Sequence, residues 1–170
     1  MSKSLLISID CPPIRTMLGR LRLIELHERS DEVLLGPLDC NLKADNKAAA
    51  AKGNPDRNPA LPFGDTPLGL YNCYPHRVNG AVSKDDKRKL GPHGWISLDP
   101  QEGQALAAKQ NGRHGLLIHG GEPSPSGGLR PTFGCVRLAN SDMAALQDAI
   151  RAHEPATVQC RVEEMESSPT

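Results

Sequence analysis

The chain has few aromatic residues: one Trp, two Tyr and two Phe, 3% of 170 residues. Its core must therefore be built from Leu, Ile, Val and Ala. It also has no net charge, since 20 Lys and Arg balance 20 Asp and Glu. That balance speaks against a nucleic-acid partner, which would call for concentrated positive charge. No apolar run approaches the roughly 18 residues of a membrane span, so no span is expected. Residues 4–9 are apolar but too few for the core of a signal peptide, and Asp10 ends them. Cys11 follows Asp10 rather than the small residue that a lipoprotein cleavage site wants. With no export address visible, the chain is expected to stay in the cytoplasm, to leave by another route, or to have lost a leader. Cysteine pairs at metal spacing are absent too. The five cysteines, at 11, 40, 73, 135 and 160, form no CxxC, which speaks against structural zinc. Their odd number leaves at least one thiol without an intrachain partner. No cofactor and no bound metal are expected.

What is abundant is glycine and proline, 16 and 15 residues, above an average combined usage of about 12%. The excess predicts many turns and excludes a helical bundle. The length fits one domain, with a core large enough to need no metal or disulfide staple. Residues 21–26 and 32–35 are short aliphatic runs around Arg29-Ser30-Asp31, which predicts a β-hairpin. Residues 43–62 predict a long exposed loop with one helical turn through 48–51. Residues 64–74 predict a turn leading into a strand, and the charge run 84–89 a solvated face. A helix is predicted over 100–110, with Asp99 as cap, Pro100 at its first position and Gly112 after its end. A strand follows over 114–119, then a Gly/Pro/Ser loop over 120–131. A second helix is expected over 141–153 with Asn140 or Ser141 as cap, and a last strand over 157–162. The tail from 163 to 170 should fray. The sum is a mainly β or α+β domain with two short helices, covering 1–162.

The chemistry concentrates in Ile118-His119-Gly120-Gly121 and Thr132-Phe133-Gly134-Cys135-Val136-Arg137-Leu138. A thiol attacks as thiolate, and an adjacent imidazole can supply that state. His119 ends an apolar strand, so its backbone is held. Gly134 lets the chain turn tightly before Cys135 and leaves backbone N–H groups near the sulfur for an oxyanion. The loop between them can fold His119 and Cys135 together. That constellation suits acyl transfer. On these residues alone, a small buried thiol and a satisfied polar histidine remain the plainer alternative.

These residues resemble the catalytic signature of the L,D-transpeptidases, the YkuD-like family. Its pattern is His-Gly, a loop of some fifteen residues, then Ser/Thr-x-Gly-Cys with Arg close behind. Here fifteen residues separate His119 from Cys135, and Thr132, Gly134 and Arg137 stand at the matching positions. Leu138-Ala139-Asn140-Ser141-Asp142 is similar to the family's Leu-x-Asn-x-Asp, and Thr66-Pro67-Leu68-Gly69-Leu70-Tyr71 to its Thr-Pro-x-Gly-x-Tyr strand. The resemblance spans residues 20–150 and implies a β-sandwich-like catalytic fold. It implies that Cys135 attacks the third residue of a peptidoglycan stem tetrapeptide and expels the terminal D-alanine. His119 would move the proton, with the Gly120 carbonyl orienting its ring. The N–H groups of Gly134 and Cys135 would hold the oxyanion. A second stem as acceptor gives a cross-link, a D-amino acid gives exchange, and water gives L,D-carboxypeptidase activity.

Four further residues are candidates for substrate binding. Arg137 either fixes the catalytic loop or meets a stem-peptide carboxylate, the plain alternative being a surface arginine on a strand. Thr132 either bonds within the catalytic turn or is an ordinary turn threonine. Phe133 stands where many family members carry His or a polar residue, which bears on acceptor recognition. Tyr71 can line the cleft, although a strand aromatic more ordinarily joins the core. His114 and His119 are five apart and should face opposite sides of a strand. His76 and His93 are expected to be exposed loop histidines, Trp95 to be core, and Cys40 and Cys73 to be structural thiols. A chain without leader or cell-wall-binding module is also similar to antibacterial effectors of this family. Their setting would be the periplasm or cell wall, and their partners a secretion apparatus and a cognate immunity protein. Two rival readings remain: a non-catalytic peptidoglycan-binding module of the same fold, and a zinc hydrolase using His93, His119 and Cys135.

Overall fold

Strict alternation opens the chain. In β1 (Ser4–Cys11) the side chains of Leu5, Ile7, Ile9 and Cys11 are buried and those between them are half-exposed. This period of two is what a sheet with one covered face requires. The computed structural model describes residues 3–78 and 81–165. β2 (Gly19–Glu25) and β3 (Glu32–Cys40) form the expected hairpin, each antiparallel to its neighbour. β4 (Gly69–His76), β5 (Trp95–Glu102), β6 (Leu117–His119) and β7 (Val136–Arg137) follow. β8 (Thr157–Glu164) then inserts between β1, to which it is parallel, and β4, to which it is antiparallel. The result is one mixed eight-stranded sheet in the order β3-β2-β1-β8-β4-β5-β6-β7.

The two edges of that sheet meet. Asn41, directly after β3, bridges Arg137 of β7 through N–H···O bonds of 2.9 and 3.1 Å, and Ala44 bridges Thr132. The sheet is therefore curled almost into a closed barrel, which leaves little free edge. The mainly β expectation stands, but the strands form a single curled sheet rather than two stacked ones. Ile7, Ile9, Leu23, Ile96 and Ile118 are fully buried in its core, and Met143 and Leu146 of α4 (Asn140–His153) join them.

Among the described residues there are four helices instead of two. α1 (Asn46–Ala51) is capped by Asp45, whose carboxylate accepts from Ala48 N at 2.9 Å. Around it the segment 43–62 is not a simple exposed loop, because Ala44, Ala49 and Asn54 are buried. α2 (Lys84–Leu90) is the charge run. It buries no side chain, and Asp85 pairs with Arg88 and Lys89, so the face is solvated as read. α3 (Gln104–Gln110) starts four residues later than expected. Asp99 and Pro100, read as a helix start, lie in β5, where Ile96, Leu98 and Pro100 alternate inward. Pro100 sits at a register irregularity in the β4–β5 pair, a place where a missing N–H is tolerated. In α4, Ala139 occupies the cap position and the Asn140 side-chain Oδ1 accepts from Gly121 N at 2.8 Å instead. The expected fraying at 163 begins too early, since Glu163 and Glu164 pair with Asp10 and Cys11. Residues 166–170 lie outside the described residues. No helix among the described residues is long and apolar enough to cross a membrane.

Because β1 is paired on both sides and Ile7 is fully buried, Ile7→Ala should cost about 2–5 kcal/mol of stability. Urea denaturation of the two proteins at one pH checks this, and a loss below about 1 kcal/mol would mean the strand is not core.

Candidate active site

β6 and β7 pair in parallel with Ile118 opposite Val136 and His119 opposite Arg137. Ile118 and Val136 are fully buried in the core. By alternation His119 and Arg137 occupy the other face of the sheet, and Cys135, two before Arg137, shares it. His119 and Cys135 line one cavity of about 360 Å³ together with Arg88, Lys89, Arg130 and Arg137. Cys135 and Phe133 also line a second cavity of about 500 Å³, bounded by Phe63, His114 and Leu116. The sulfur thus sits where two cavities meet. A third cavity of about 510 Å³, between β4 and α4, is lined by Cys73 and Glu154 but by no histidine.

His119 is 4% exposed, and its Nδ1 lies 2.6 Å from the Gly120 carbonyl oxygen. A carbonyl only accepts, so Nδ1 carries the hydrogen and Nε2 keeps a bare lone pair. Burial pushes its pKa down to about 4; the Gly120 bond opposes this and the Arg137 charge adds to it. The ring is neutral at pH 7, as a proton acceptor must be. The Cys135 thiol is pushed above its ordinary value by burial, while a Leu117 backbone hydrogen bond, Arg113 and Arg137 pull it back. Both partners therefore rest neutral. The arrangement suits proton transfer during attack rather than a pre-formed thiolate–imidazolium pair.

Thr132 closes the turn that carries Cys135. Its hydroxyl accepts from Gly134 N at 3.0 Å and donates to the Cys135 carbonyl at 2.8 Å. Thr66 Oγ1 donates to the Gly134 carbonyl at 2.8 Å from the far side. Gly134 was expected to give an oxyanion N–H, but Thr132 already holds that group. The Cys135 N–H is the donor still available at the turn. Gly134 has φ +111, and a Cβ there would strike Arg113 Nη2 and the Gly64 carbonyl. Only glycine satisfies both the angle and the space.

Arg137 is 7% exposed, and Nη1 and Nη2 reach the carbonyls of Glu122 and Lys89 at 3.2 and 3.4 Å. It ties the 120–131 loop and α2 to β7, while its Nε is buried without a partner. Phe133 is 65% exposed and packs edge-on against Phe63, with centroids 5.7 Å apart. Tyr71 does not reach either cavity. It is fully buried and its hydroxyl donates to the Pro67 carbonyl at 2.6 Å, so it belongs to the core. Trp95 stacks with His76 at 5.4 Å away from the site. His93, His119 and Cys135 do not converge. Among the described residues, the metal-ligating side chains that gather within 4.8 Å are Glu25, His27 and Glu32, at the mouth of the β2–β3 hairpin. Cys11, Cys40, Cys73 and Cys160 are buried free thiols. Arg113, discussed below, escaped sequence reading because it stands in no motif.

The chain matches no family model and no curated protein sequence. It is similar in fold to the crystal structure of the helical cell shape determining protein Pgp2 from Campylobacter jejuni, with TM-score 0.56 and 19% identity over 98% of this chain. The K307A mutant of that protein gives TM-score 0.54 at the same identity. The likeness is one of fold. This chain spans about half of the neighbour's length, 49% and 48% in the two structures. The resemblance to the L,D-transpeptidases thus rests on the sequence motifs.

Two outcomes follow. Gly134→Ala should displace the Gly134–Cys135 turn and cost about 1–3 kcal/mol, with slower alkylation of Cys135 by iodoacetamide as the readout. Unchanged alkylation would show that the turn tolerates a Cβ. The second outcome concerns pH. Above the ordinary histidine value of 6.5, folded and unfolded chains both carry neutral imidazole at position 119. Between 6.5 and about 4 the unfolded chain takes a proton that the folded chain refuses. Stability should therefore fall with pH through that window, by of order 3 kcal/mol from this group. His119→Asn should lose that share of the fall, measured by urea denaturation at pH 7 and pH 4.5. Equal falls in both proteins would contradict it.

Proposed function

We propose that this chain is a cysteine acyltransferase acting on peptidoglycan stem tetrapeptides at the L,D bond before the terminal D-alanine. The observation that carries this reading is the oriented His119. Its Nδ1–H is spent on Gly120 at 2.6 Å, which leaves Nε2 to work in the cavity it shares with Cys135. In the first half-reaction Nε2 takes the thiol proton as Sγ bonds the carbonyl carbon of the third stem residue. The oxyanion forms against the Cys135 N–H. The C–N bond to D-alanine then breaks, and its nitrogen leaves with the proton from His119. In the second half-reaction His119 deprotonates an amine or water, which attacks the thioester. The C–S bond breaks and the sulfur regains a proton.

Further features support the substrate. Arg88, Lys89, Arg130 and Arg137 border the cavity of His119, and stem peptides carry several carboxylates. Two cavities meeting at Cys135 give room for an acyl donor on one side and an acceptor on the other. Bacterial shape is borne by peptidoglycan, so a fold shared with a cell-shape determinant suits that substrate.

Incubation with purified disaccharide-tetrapeptide and a D-amino acid, followed by mass spectrometry, tests the proposal. The unmodified chain should remove or exchange the terminal D-alanine. Cys135→Ala and His119→Ala should each slow this by about a thousandfold or more. Full activity of Cys135→Ala would end the mechanism. No turnover by any of the three, with stem peptide protecting Cys135 from alkylation, would replace catalysis by binding.

A further inference from the structure

Cys135 lies near two buried arginines, and among the described residues neither forms a salt bridge to a carboxylate. Arg137, on β7, gives its hydrogen bonds to the carbonyls of Glu122 and Lys89. Arg113, on the turn that leads into β6, is 4% exposed. It donates to the carbonyls of Pro59, Gly64 and Asp65 at 2.6, 2.6 and 2.8 Å. The Asp65 carboxylate is engaged elsewhere, by Arg57 at 3.1 Å and by Ala44 N at 2.8 Å. Carbonyl dipoles satisfy the guanidinium's N–H groups but do not cancel its charge. The Asp65 carboxylate lies near enough to offset part of that charge, Arg15 adds positive charge of its own, and the Cys135 sulfur is among the groups on which Arg113 acts.

The geometry points to Arg113 as a positioning residue of the nucleophile: it seats the Gly134–Cys135 turn and sets a fixed positive charge behind Cys135 that favours its thiolate. The contact is direct on the steric side, since a Cβ at Gly134 would meet Arg113 Nη2. Arg113 and Cys135 line the same cavity. The segment that Arg113 grips carries Gly64, whose carbonyl also abuts Gly134, and leads to Thr66, which bonds the Gly134 carbonyl. One side chain thus holds the floor of the turn from behind, while Thr132 closes it from within.

The other charges around Cys135 do not duplicate this one. His119 is neutral, and Arg137 approaches from the opposite side, along β7. Arg88, Lys89 and Arg130 border the first cavity, as does Glu122. His114 borders the second cavity. Arg113 is the arginine lining that second cavity and is hidden from solvent, so water screens it least. Its effect on the sulfur is in the expected direction, as burial of Cys135 is opposed by Arg113 as well as Arg137.

The inference rests on reading Cys135 as a nucleophile, and alkylation separates the two. The rate of Cys135 carbamidomethylation by iodoacetamide, followed by peptide mass from pH 6 to 10, needs no substrate. Below its midpoint the rate follows the thiolate fraction, so a midpoint raised by about one unit means about tenfold slower labelling. Arg113→Gln should show that slowing with unchanged circular dichroism. Arg113→Lys, which keeps the charge, should stay within about threefold of the unmodified chain. A folded Arg113→Gln with an unshifted profile would overturn the inference. If Arg113→Gln does not fold, Arg113→Lys decides alone: labelling within threefold is the expected result, and a tenfold loss overturns it. An unmodified chain whose Cys135 resists labelling at every pH would instead count against the nucleophile reading itself.

Discussion

A two-residue strand carries the site. β7 pairs with β6 through Ile118↔Val136 and His119↔Arg137, and this register alone puts Cys135 on the face that holds His119. A slip of one residue would turn the sulfur into the core and expose Val136. So short a strand has little pairing of its own and must be held from outside. The Asn41–Arg137 bridge holds its far side and joins the two edges of the sheet. Closing the barrel and assembling the site are therefore the same event.

Around this pair the charges are arranged in an unusual way. Arg113 and Arg137 are both buried, and both give their terminal N–H hydrogen bonds to backbone carbonyls rather than to carboxylates. A carboxylate partner would have cancelled the positive field and, close to the sulfur, would have raised the cost of a thiolate. Carbonyl ties give the arginines fixed positions while leaving their charge to act. The same environment keeps His119 neutral, because burial and the Arg137 charge both disfavour an imidazolium.

Parts of this were legible in the residues and parts were not. The β2–β3 hairpin and α4 follow from local pattern, and so does the strand ending at His119. β5 was misread because Asp99-Pro100 is a good helix start locally, whereas pairing with β4 and β6 makes it a strand. α2 has no buried side chain and hence no apolar period to reveal it. Tyr71 sits in a motif-like stretch, but its place in β4 turns it into the core, where the Pro67 carbonyl takes its hydroxyl. Gly134 looked like an oxyanion donor until Thr132 was seen to occupy its N–H.

The sequence by itself determined which groups the proposed chemistry draws on: a thiol after a glycine, an imidazole sixteen positions upstream, a threonine and an arginine flanking the thiol. Those are properties of residue type and short spacing, and they are present before the chain folds. Tertiary structure decided what state these groups are in. Thr66 reaches Gly134 across 68 positions, Arg113 reaches Gly64 across 49, and Asn41 closes on Arg137. Protonation, donor availability and the field at the sulfur depend on burial and on such distant neighbours. No local pattern encodes them, because the atoms that set them come together only when the sheet closes.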